Sequence, residues 1–156
     1  MDSFTGVVIY ACVCSLGVLV SGLHWPRKLF DYTSKLFMPK KWELNTNIYN
    51  FLKVGKWKNK VPDMSKIVKK LPTKQISQLS IDSLKLLIKE TCVAEIAHIL
   101  LIILAIPMNF ICDGISGFVC FLMYSVGNLP YIIIQRYNRP RLIKLLERME
   151  NKECES

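Results

Sequence analysis

Three long apolar runs constrain the fold of this chain more than any other feature. They cover about residues 4–23, 93–112 and 115–135, and almost all charged residues lie outside them. A helix needs about 20 apolar residues to cross the hydrocarbon layer of a bilayer, and each run reaches that length. Because lipid offers no hydrogen bonds, the backbone of such a run must pair within itself, which favours a helix. The sequence therefore predicts an all-α integral membrane protein with about three transmembrane helices.

The residues that flank the runs support this interpretation. A cleaved signal peptide is an alternative for the first run, but the preceding residues hold Asp2 and no Lys or Arg, so the positively charged segment of a signal peptide is missing. Only Asp113 and Gly114 separate the second run from the third. We therefore predict a retained first helix and, later in the chain, a tight helical hairpin.

The positive charges predict how the chain lies in the membrane. The formal net charge is +9, with 15 Lys or Arg against 5 acidic residues between His24 and Cys92, and a further 6 Lys or Arg from Arg136 onward. Loops rich in Lys and Arg stay on the cytoplasmic side. We predict a single multi-pass domain over residues 1–156 in the cell membrane. Its N-terminus should lie outside, with loop 24–92 and tail 136–156 in the cytoplasm.

The long loop interleaves aromatic and basic residues, which is typical of chain that lies in the headgroup layer. An amphipathic helix is predicted near its start, where four side chains share one helical face: Leu29, Tyr32, Leu36 and Phe37. Tryptophan favours the membrane interface, and all three tryptophans lie in this loop: Trp25, Trp42 and Trp57. The loop is therefore predicted to follow the membrane surface.

Two further helices are predicted beside the spans. Ser80 is a suitable N-cap and Asp82 suits the positive end of the helix dipole, so one helix should run from residue 81 into the second span. Proline fits the first turn of a helix and disfavours helix at the preceding residue, so Arg139–Pro140 predicts a restart. An amphipathic tail helix should follow, with an apolar face formed by Leu142, Ile143, Leu145, Leu146 and Met149.

Several classes of function are excluded by what the sequence lacks. The six cysteines have no spacing suited to a metal, and Cys12 and Cys14 point to opposite sides of a helix, so no metal site is predicted. There is no Gly-rich phosphate loop and no serine elbow, so no bound cofactor is predicted. Nucleic acid is not an expected partner, because no base-stacking domain fits into a membrane-bound loop.

The most informative polar residues are Glu95 and His98, which lie three positions apart near the start of the second run. An ionisable group in a membrane helix costs about 2.5–3.5 kcal/mol at mid-bilayer, so such a group indicates a function. A carboxylate beside an imidazole fixes its tautomer and raises its basicity, as in a general base for a hydroxyl nucleophile. The alternative is structural: Glu95 pairs with an arginine of the tail, and His98 bonds to a backbone carbonyl.

Two basic clusters indicate contact with an anionic group. The first lies where the third run ends and contains Arg136, Asn138, Arg139 and Arg141. Arginine binds phosphate or carboxylate at two points, and Asn138 would orient a sugar or an amide. The second cluster, residues 56–60, contains Trp57 and Lys58 and suits an anionic headgroup or a phosphate. A positively charged membrane anchor is the alternative for the arginines.

Three stretches of the chain resemble one enzyme family. They are Lys-Trp-Lys-Asn-Lys at residues 56–60, Glu-Thr-Cys-Val-Ala-Glu-Ile-Ala-His at residues 90–98, and Asn128-Leu129-Pro130 together with residues 135–142. In order and spacing they resemble the glycosyl-4,4'-diaponeurosporenoate acyltransferases, which esterify a carotenoid-linked glucose with a fatty acyl chain in the last step of staphyloxanthin synthesis. The last stretch is the most specific, because so long a polar string is unusual where a membrane helix ends.

The resemblance implies acyl transfer from a fatty thioester to a hydroxyl, with no cofactor beyond that co-substrate. His98, oriented by Glu95, would remove the hydroxyl proton, and the substrate-binding residues would be Arg136, Asn138, Arg139, Arg141, Asn128, Trp57 and Lys58. The implied partners are the acyl donor, an amphipathic hydroxyl-bearing lipid acceptor and membrane lipids, with a homo-oligomer as a further option. The alternative is a non-catalytic membrane subunit that binds anionic lipid or a partner helix.

Overall fold

The computed structural model of the chain describes residues 2–44, 47–61, 80–112 and 114–154. Within these ranges the helices are, in chain order, α1 Ser3–His24, α2 Lys41–Leu44, α3 Asn47–Phe51, α4 Val54–Trp57, α5 Ile81–Leu104, α6 Met108–Ile111 and α7 Ile115–Cys154. Short 3-10 helices lie at Arg27–Leu29 and Lys58–Lys60. The described ranges contain no strand, and the predicted all-α class is confirmed. Loop residues 62–79 and the side chain of Trp42 lie outside what is described.

Three helical segments of the described chain are long and apolar enough to cross a membrane. They are Ser3–His24, Ile81–Ile111 and Ile115–Cys154. The predicted number of transmembrane helices is therefore confirmed. By its internal contacts the chain divides into two compact units: the first contains residues 1–29 and 93–133, and the second contains residues 30–92 and 134–156.

The second span begins where its cap predicts and ends before a proline. Ser80 Oγ accepts a hydrogen bond from the backbone N of Ser83 at 3.2 Å, and α5 begins at the next residue, Ile81. At the other end, α5 stops at Leu104 and residues 105–107 form a turn. Pro107 lacks the N–H that would continue the helix, so a short separate helix, α6, follows it.

The connection between the second and third spans is close. A Cβ atom at Gly117 would lie 2.7 Å from Cys112 O and 2.9 Å from Met108 O, so only glycine fits where α7 begins beside α6. The linking residue Asp113 lies outside the described residues. The close contact between α6 and the start of α7 agrees with the short helical hairpin that the sequence predicts.

The first unit is fixed by a small apolar core and by two tyrosine hydroxyls. Tyr10 Oη donates to Leu104 O at 2.8 Å, and Ser15 Oγ lies 2.8 Å from Tyr124 Oη. Hydrogen bonds of this kind hold membrane helices together where the surrounding lipid offers no alternative partner. The buried core of this unit is formed by Val7, Ala105, Met108 and Cys112.

Helix α7 runs without interruption from Ile115 to Cys154, so the predicted restart at Arg139–Pro140 is wrong. Proline removes one backbone hydrogen bond, but the side chains after it pack in a way that favours a continuous helix. In the second unit, Leu146 packs with Leu84 and Ile88 of α5. The apolar face predicted for the tail is confirmed, because the residues packed against this core include Leu142, Ile143, Leu145 and Met149.

The amphipathic helix predicted near residues 29–37 is also wrong, because this segment forms turns. Asp31 explains the difference. Its Oδ1 accepts hydrogen bonds from Thr33 N at 2.9 Å and from Thr33 Oγ1 at 2.7 Å, which compete with helix formation. Phe30 and Phe37 are buried, and their ring centroids lie 6.2 Å apart. The turn therefore serves to bury two aromatic rings within the second unit.

Candidate functional site

His98 lies on α5 in the first unit, where two residues of α7 hold its imidazole ring. Its Nδ1 atom lies 2.9 Å from Asn128 Oδ1. The ring of Tyr131 stacks on the imidazole, with 4.5 Å between the centroids and 13° between the planes. Asn128 and Tyr131 are three residues apart and so share one face of α7. The hydrogen bond and the stacked ring together fix the orientation of the imidazole.

The hydrogen bonds of Asn128 determine the tautomer of His98. Asn128 Nδ2 donates to Tyr124 O at 2.9 Å, and a carbonyl can only accept, so the amide oxygen must face the imidazole. Nδ1 must then be the donor to Asn128 Oδ1, and in the neutral ring Nε2 carries the lone pair. No described residue forms a hydrogen bond with Nε2, and His98 is only partly buried. This nitrogen is therefore available to a ligand.

Glu95 lies one turn before His98 on α5 and is buried, with 2% of its surface exposed. The sequence pairs Glu95 with the imidazole, whereas the structure places Asn128 against Nδ1. Asn128 belongs to the predicted site through the family resemblance alone, and Tyr131 is not singled out by the sequence. In the sequence, the three-residue spacing of Asn128 and Tyr131 indicates that they share one face of a helix. Nothing in the sequence indicates that this face meets His98 of α5.

Ser125 is a further polar residue of the first unit that the sequence does not single out. It lies three residues before Asn128, and therefore on the same side of α7. Its hydroxyl is buried and has no hydrogen-bond partner among the described residues. Buried hydroxyls are normally paired, so this atom marks a polar position near Asn128 with an unmet hydrogen bond.

Arg139 lies on α7 in the second unit and is almost completely buried, with 1% of its surface exposed. Its Nε donates to Thr91 Oγ1 at 2.9 Å and its Nη2 to Thr91 O at 3.0 Å. Nη1 donates to Phe37 O at 3.1 Å, and the guanidinium lies 5.3 Å from the centroid of the Phe37 ring. The guanidinium of Arg139 thus forms its hydrogen bonds within the chain, and these bonds connect α7 to α5 and to the turn that contains Phe37.

Arg136 forms a second internal network in the same unit. Its Nη1 forms an ion pair with Glu43 Oε1 at 2.9 Å, and its Nη2 donates to Leu36 O at 3.1 Å. Glu43 is buried, and its Oε2 accepts a hydrogen bond from Lys40 N at 2.6 Å. The sequence does not single out Glu43, because one acid in a basic loop resembles an ordinary solvated charge.

Lys58, Tyr137 and Arg141 form a third group in the second unit. Lys58 Nζ lies 4.9 Å, and Arg141 Cζ 3.5 Å, from the centroid of the Tyr137 ring. Lys58 Nζ also donates to Asn138 Oδ1 at 3.3 Å. Trp57, in contrast, uses its indole N–H on a nearby backbone carbonyl at 2.8 Å. Of the predicted substrate-binding residues, the structure brings together Lys58, Asn138 and Arg141.

Most of the chain matches one known protein family. Residues 33–148 match the family described as glycosyl-4,4'-diaponeurosporenoate acyltransferase. The chain belongs to this family. A protein of that name from Staphylococcus aureus strain MRSA252 is 30% identical over 142 residues, which covers 88% of this chain and 84% of the relative. Its counterpart from strain Newman is 28% identical over 148 residues, with 92% and 88% covered.

The resemblance read from the three sequence stretches is therefore confirmed. The matched region includes His98 and Asn128 of the first unit and the arginines of the second. No solved structure matches the chain. Within the part of the chain that the structure describes, no three His, Cys, Asp or Glu side chains are grouped so that they could hold a metal ion.

Proposed function

We propose that this chain esterifies a hydroxyl of an amphipathic, sugar-bearing lipid with a fatty acyl chain. The observation that carries the proposal is the hydrogen bonding of His98, whose Nδ1 donates to Asn128 and whose Nε2 has no described partner. A general base for a hydroxyl needs such a nitrogen. The family supplies the reaction class, and its members from Staphylococcus aureus are named for a glycosylated acceptor, which supports a sugar hydroxyl.

In the proposed reaction, His98 Nε2 takes the proton of the acceptor hydroxyl while that oxygen attacks the carbonyl carbon of an acyl thioester. The new C–O bond gives a tetrahedral oxyanion, which collapses and breaks the C–S bond. The imidazolium then returns its proton to the departing thiolate, so the products are an ester and a free thiol. Throughout these steps Asn128 Oδ1 accepts a hydrogen bond from His98 Nδ1–H and keeps the imidazole ring oriented.

Glu95 has a different proposed role, which is to stabilise the imidazolium that forms during the reaction. It is buried in the same unit, one turn from His98 on α5. A carboxylate favours a positive charge that develops within a few ångströms, whereas the neutral amide of Asn128 only orients the ring. Removing the charge of Glu95 should therefore cost less activity than removing the imidazole.

Lipid mass spectrometry tests the proposed activity. Membranes that contain the chain should convert added glycosyl-4,4'-diaponeurosporenoate and a fatty acyl thioester into a new species, heavier by one esterified acyl chain. The matched control is the same membrane with His98→Asn, which lacks Nε2. If no ester forms with this acceptor or with other sugar-bearing lipids, the proposed function is wrong.

We further propose that the N-terminus lies outside the cell membrane and the tail in the cytoplasm. The basis is the concentration of Lys and Arg in loop 24–92 and in the tail, and three spans agree with termini on opposite sides. An impermeant reagent should label an N-terminal tag in intact cells, but a tag after residue 156 only in permeabilised cells. Labelling of both tags from the same side would contradict this topology.

A further inference from the structure

Lys58 and Arg141 place two positive charges beside one aromatic ring in the second unit. Both lie within 4.9 Å of the centroid of the Tyr137 ring, measured from Lys58 Nζ and Arg141 Cζ. Gly55 keeps α4 close to this ring, since a Cβ atom there would lie 3.2 Å from the Tyr137 hydroxyl, tighter than most such contacts. Asn138 precedes Arg141 by three residues and so lies on the same side of α7.

The polar atoms still available in this group are mainly hydrogen-bond donors. Asn138 Oδ1 already accepts from Lys58 Nζ at 3.3 Å, which leaves the Asn138 NH₂ group for another acceptor. Arg141 Nη1 donates to Tyr137 O at 2.7 Å, and a guanidinium has further N–H groups beyond this one. The lysine ammonium likewise has N–H groups beyond the one that meets Asn138. Such a surplus of donors suits an anion.

No acid among the residues that the structure describes balances the charge of this group. No described carboxylate forms an ion pair with Lys58 or Arg141, unlike Arg136 on the same helix, which pairs with Glu43. Partial burial, and secondly the charge of Arg141, lower the pKa of the Lys58 ammonium from its usual range. Two like charges beside one ring repel each other, and a bound anion would offset that repulsion.

We propose that Lys58, Asn138 and Arg141 bind a phosphate group. The planar fork of arginine matches two phosphate oxygens, and the lysine ammonium adds a compact charge. Arg141 is exposed and Lys58 is only partly buried, so a ligand can reach both side chains. The Tyr137 ring attracts the two cations through its face but cannot neutralise them.

The phosphate comes from one of two sources: the coenzyme A part of a soluble acyl donor, or the headgroup of an anionic lipid. The first source rests on the proposed acyl transfer, because the site would then dock the donor. The second source does not depend on it. In both cases the recognised chemistry is the same, an oxyanion with several acceptor oxygens.

Calorimetric titration of the full chain in nanodiscs tests the site. In phosphatidylcholine nanodiscs, free coenzyme A should bind, and Lys58→Gln and Arg141→Gln should each weaken binding about tenfold, as expected for a charged hydrogen bond. Lys152→Gln and Arg148→Gln are the controls, because each removes one charge from an exposed side chain of the same unit. Melting temperatures of all four variants establish that they remain folded.

A second set of nanodiscs, with phosphatidylglycerol added, distinguishes the two sources. Native mass spectrometry should show phosphatidylglycerol retained by the wild type and lost from the two site variants if the headgroup is the ligand. The proposal is overturned if neither probe binds, or if the site variants bind as well as the controls. Free coenzyme A carries no acyl chain, so His98→Asn should bind it normally even if the proposed acyl transfer fails.

Discussion

Replacing His98 by asparagine should lower the rate of acyl transfer about 10²–10⁴-fold, the loss typical for removal of a general base. Asparagine keeps an N–H donor near the position of Nδ1, so the hydrogen bond to Asn128 Oδ1 should persist in the first unit. It has no counterpart of Nε2, so the proton of the acceptor hydroxyl is left without a base. The initial rate of ester formation at a fixed protein concentration measures the effect.

Two further variants test whether the loss of rate comes from removal of the base. His98→Ala removes both ring nitrogens and should lose at least as much activity as His98→Asn. His24→Asn is the matched control, because His24 is the other histidine of the chain, is exposed, and has its Nδ1 2.8 Å from Val20 O within its own helix. It should keep the full rate. A normal rate in His98→Asn, with loss in His98→Ala, would show that the hydrogen bond to Asn128 orients the site and that the base is another group.

The sequence predicts the elements of this fold that depend on local chemistry. The three apolar runs specify the spans because a bilayer imposes a minimum length of apolar helix. Ser80 specifies the start of α5 because its hydroxyl can accept from the third following N–H, and that bond forms at 3.2 Å. These predictions use only residues that are adjacent in the chain, so no tertiary information is needed.

The predictions of secondary structure that are wrong concern segments whose conformation is controlled by tertiary packing. Pro140 alone favours a break, but Leu146 two turns later buries itself against α5 and keeps α7 continuous. The segment near Phe37 has helical spacing, but the hydrogen bonds of Asp31 and the burial of two phenylalanine rings favour turns. In both places a side-chain contact within the second unit outweighs a local preference of the backbone.

The candidate site depends on pairs of residues that are far apart in the sequence. Asn128 meets His98 from a different helix, and Glu43 meets Arg136 across most of the chain. Sequence spacing cannot identify such pairs, since it relates only residues of one element. The position of His98 in an apolar helix and the family resemblance of Asn128 do place both residues in the predicted site. The direction of their hydrogen bond, and hence the tautomer of His98, requires the structure.

The arginine cluster shows the same limit in a different form. In the sequence, nothing distinguishes Arg136, Arg139 and Arg141, because all three guanidinium groups follow the end of the third apolar run. Because successive residues of a helix point in different directions, each meets a different environment. Arg139 is 1% exposed and Arg136 pairs with a buried acid, whereas Arg141 is exposed. We therefore expect Arg139 to stabilise the second unit, whereas the sequence predicts it as a substrate-binding residue.

Replacing Arg139 by lysine should destabilise the second unit by about 3 kcal/mol, even though the charge is kept. Lysine cannot reproduce the fork that reaches Thr91 Oγ1, Thr91 O and Phe37 O at the same time. At least one buried carbonyl then loses its donor, and an unpaired buried group costs more than the hydrogen bond itself contributes. Trypsin cleavage after Lys40 and Lys41, followed as denaturant is raised, reports the opening of this unit.

Two further variants make the Arg139 result specific. Thr91→Val removes one acceptor of the fork and should cost about 1 kcal/mol, less than Arg139→Lys. Arg148→Lys changes an exposed arginine of the same helix and should shift stability by no more than about 0.5 kcal/mol. If Arg139→Lys is as stable as Arg148→Lys but binds coenzyme A more weakly, Arg139 holds the acyl donor, as the sequence predicts. If it is destabilised and binds coenzyme A normally, its guanidinium joins α5, α7 and the Phe37 turn, and phosphate recognition is left to Lys58 and Arg141.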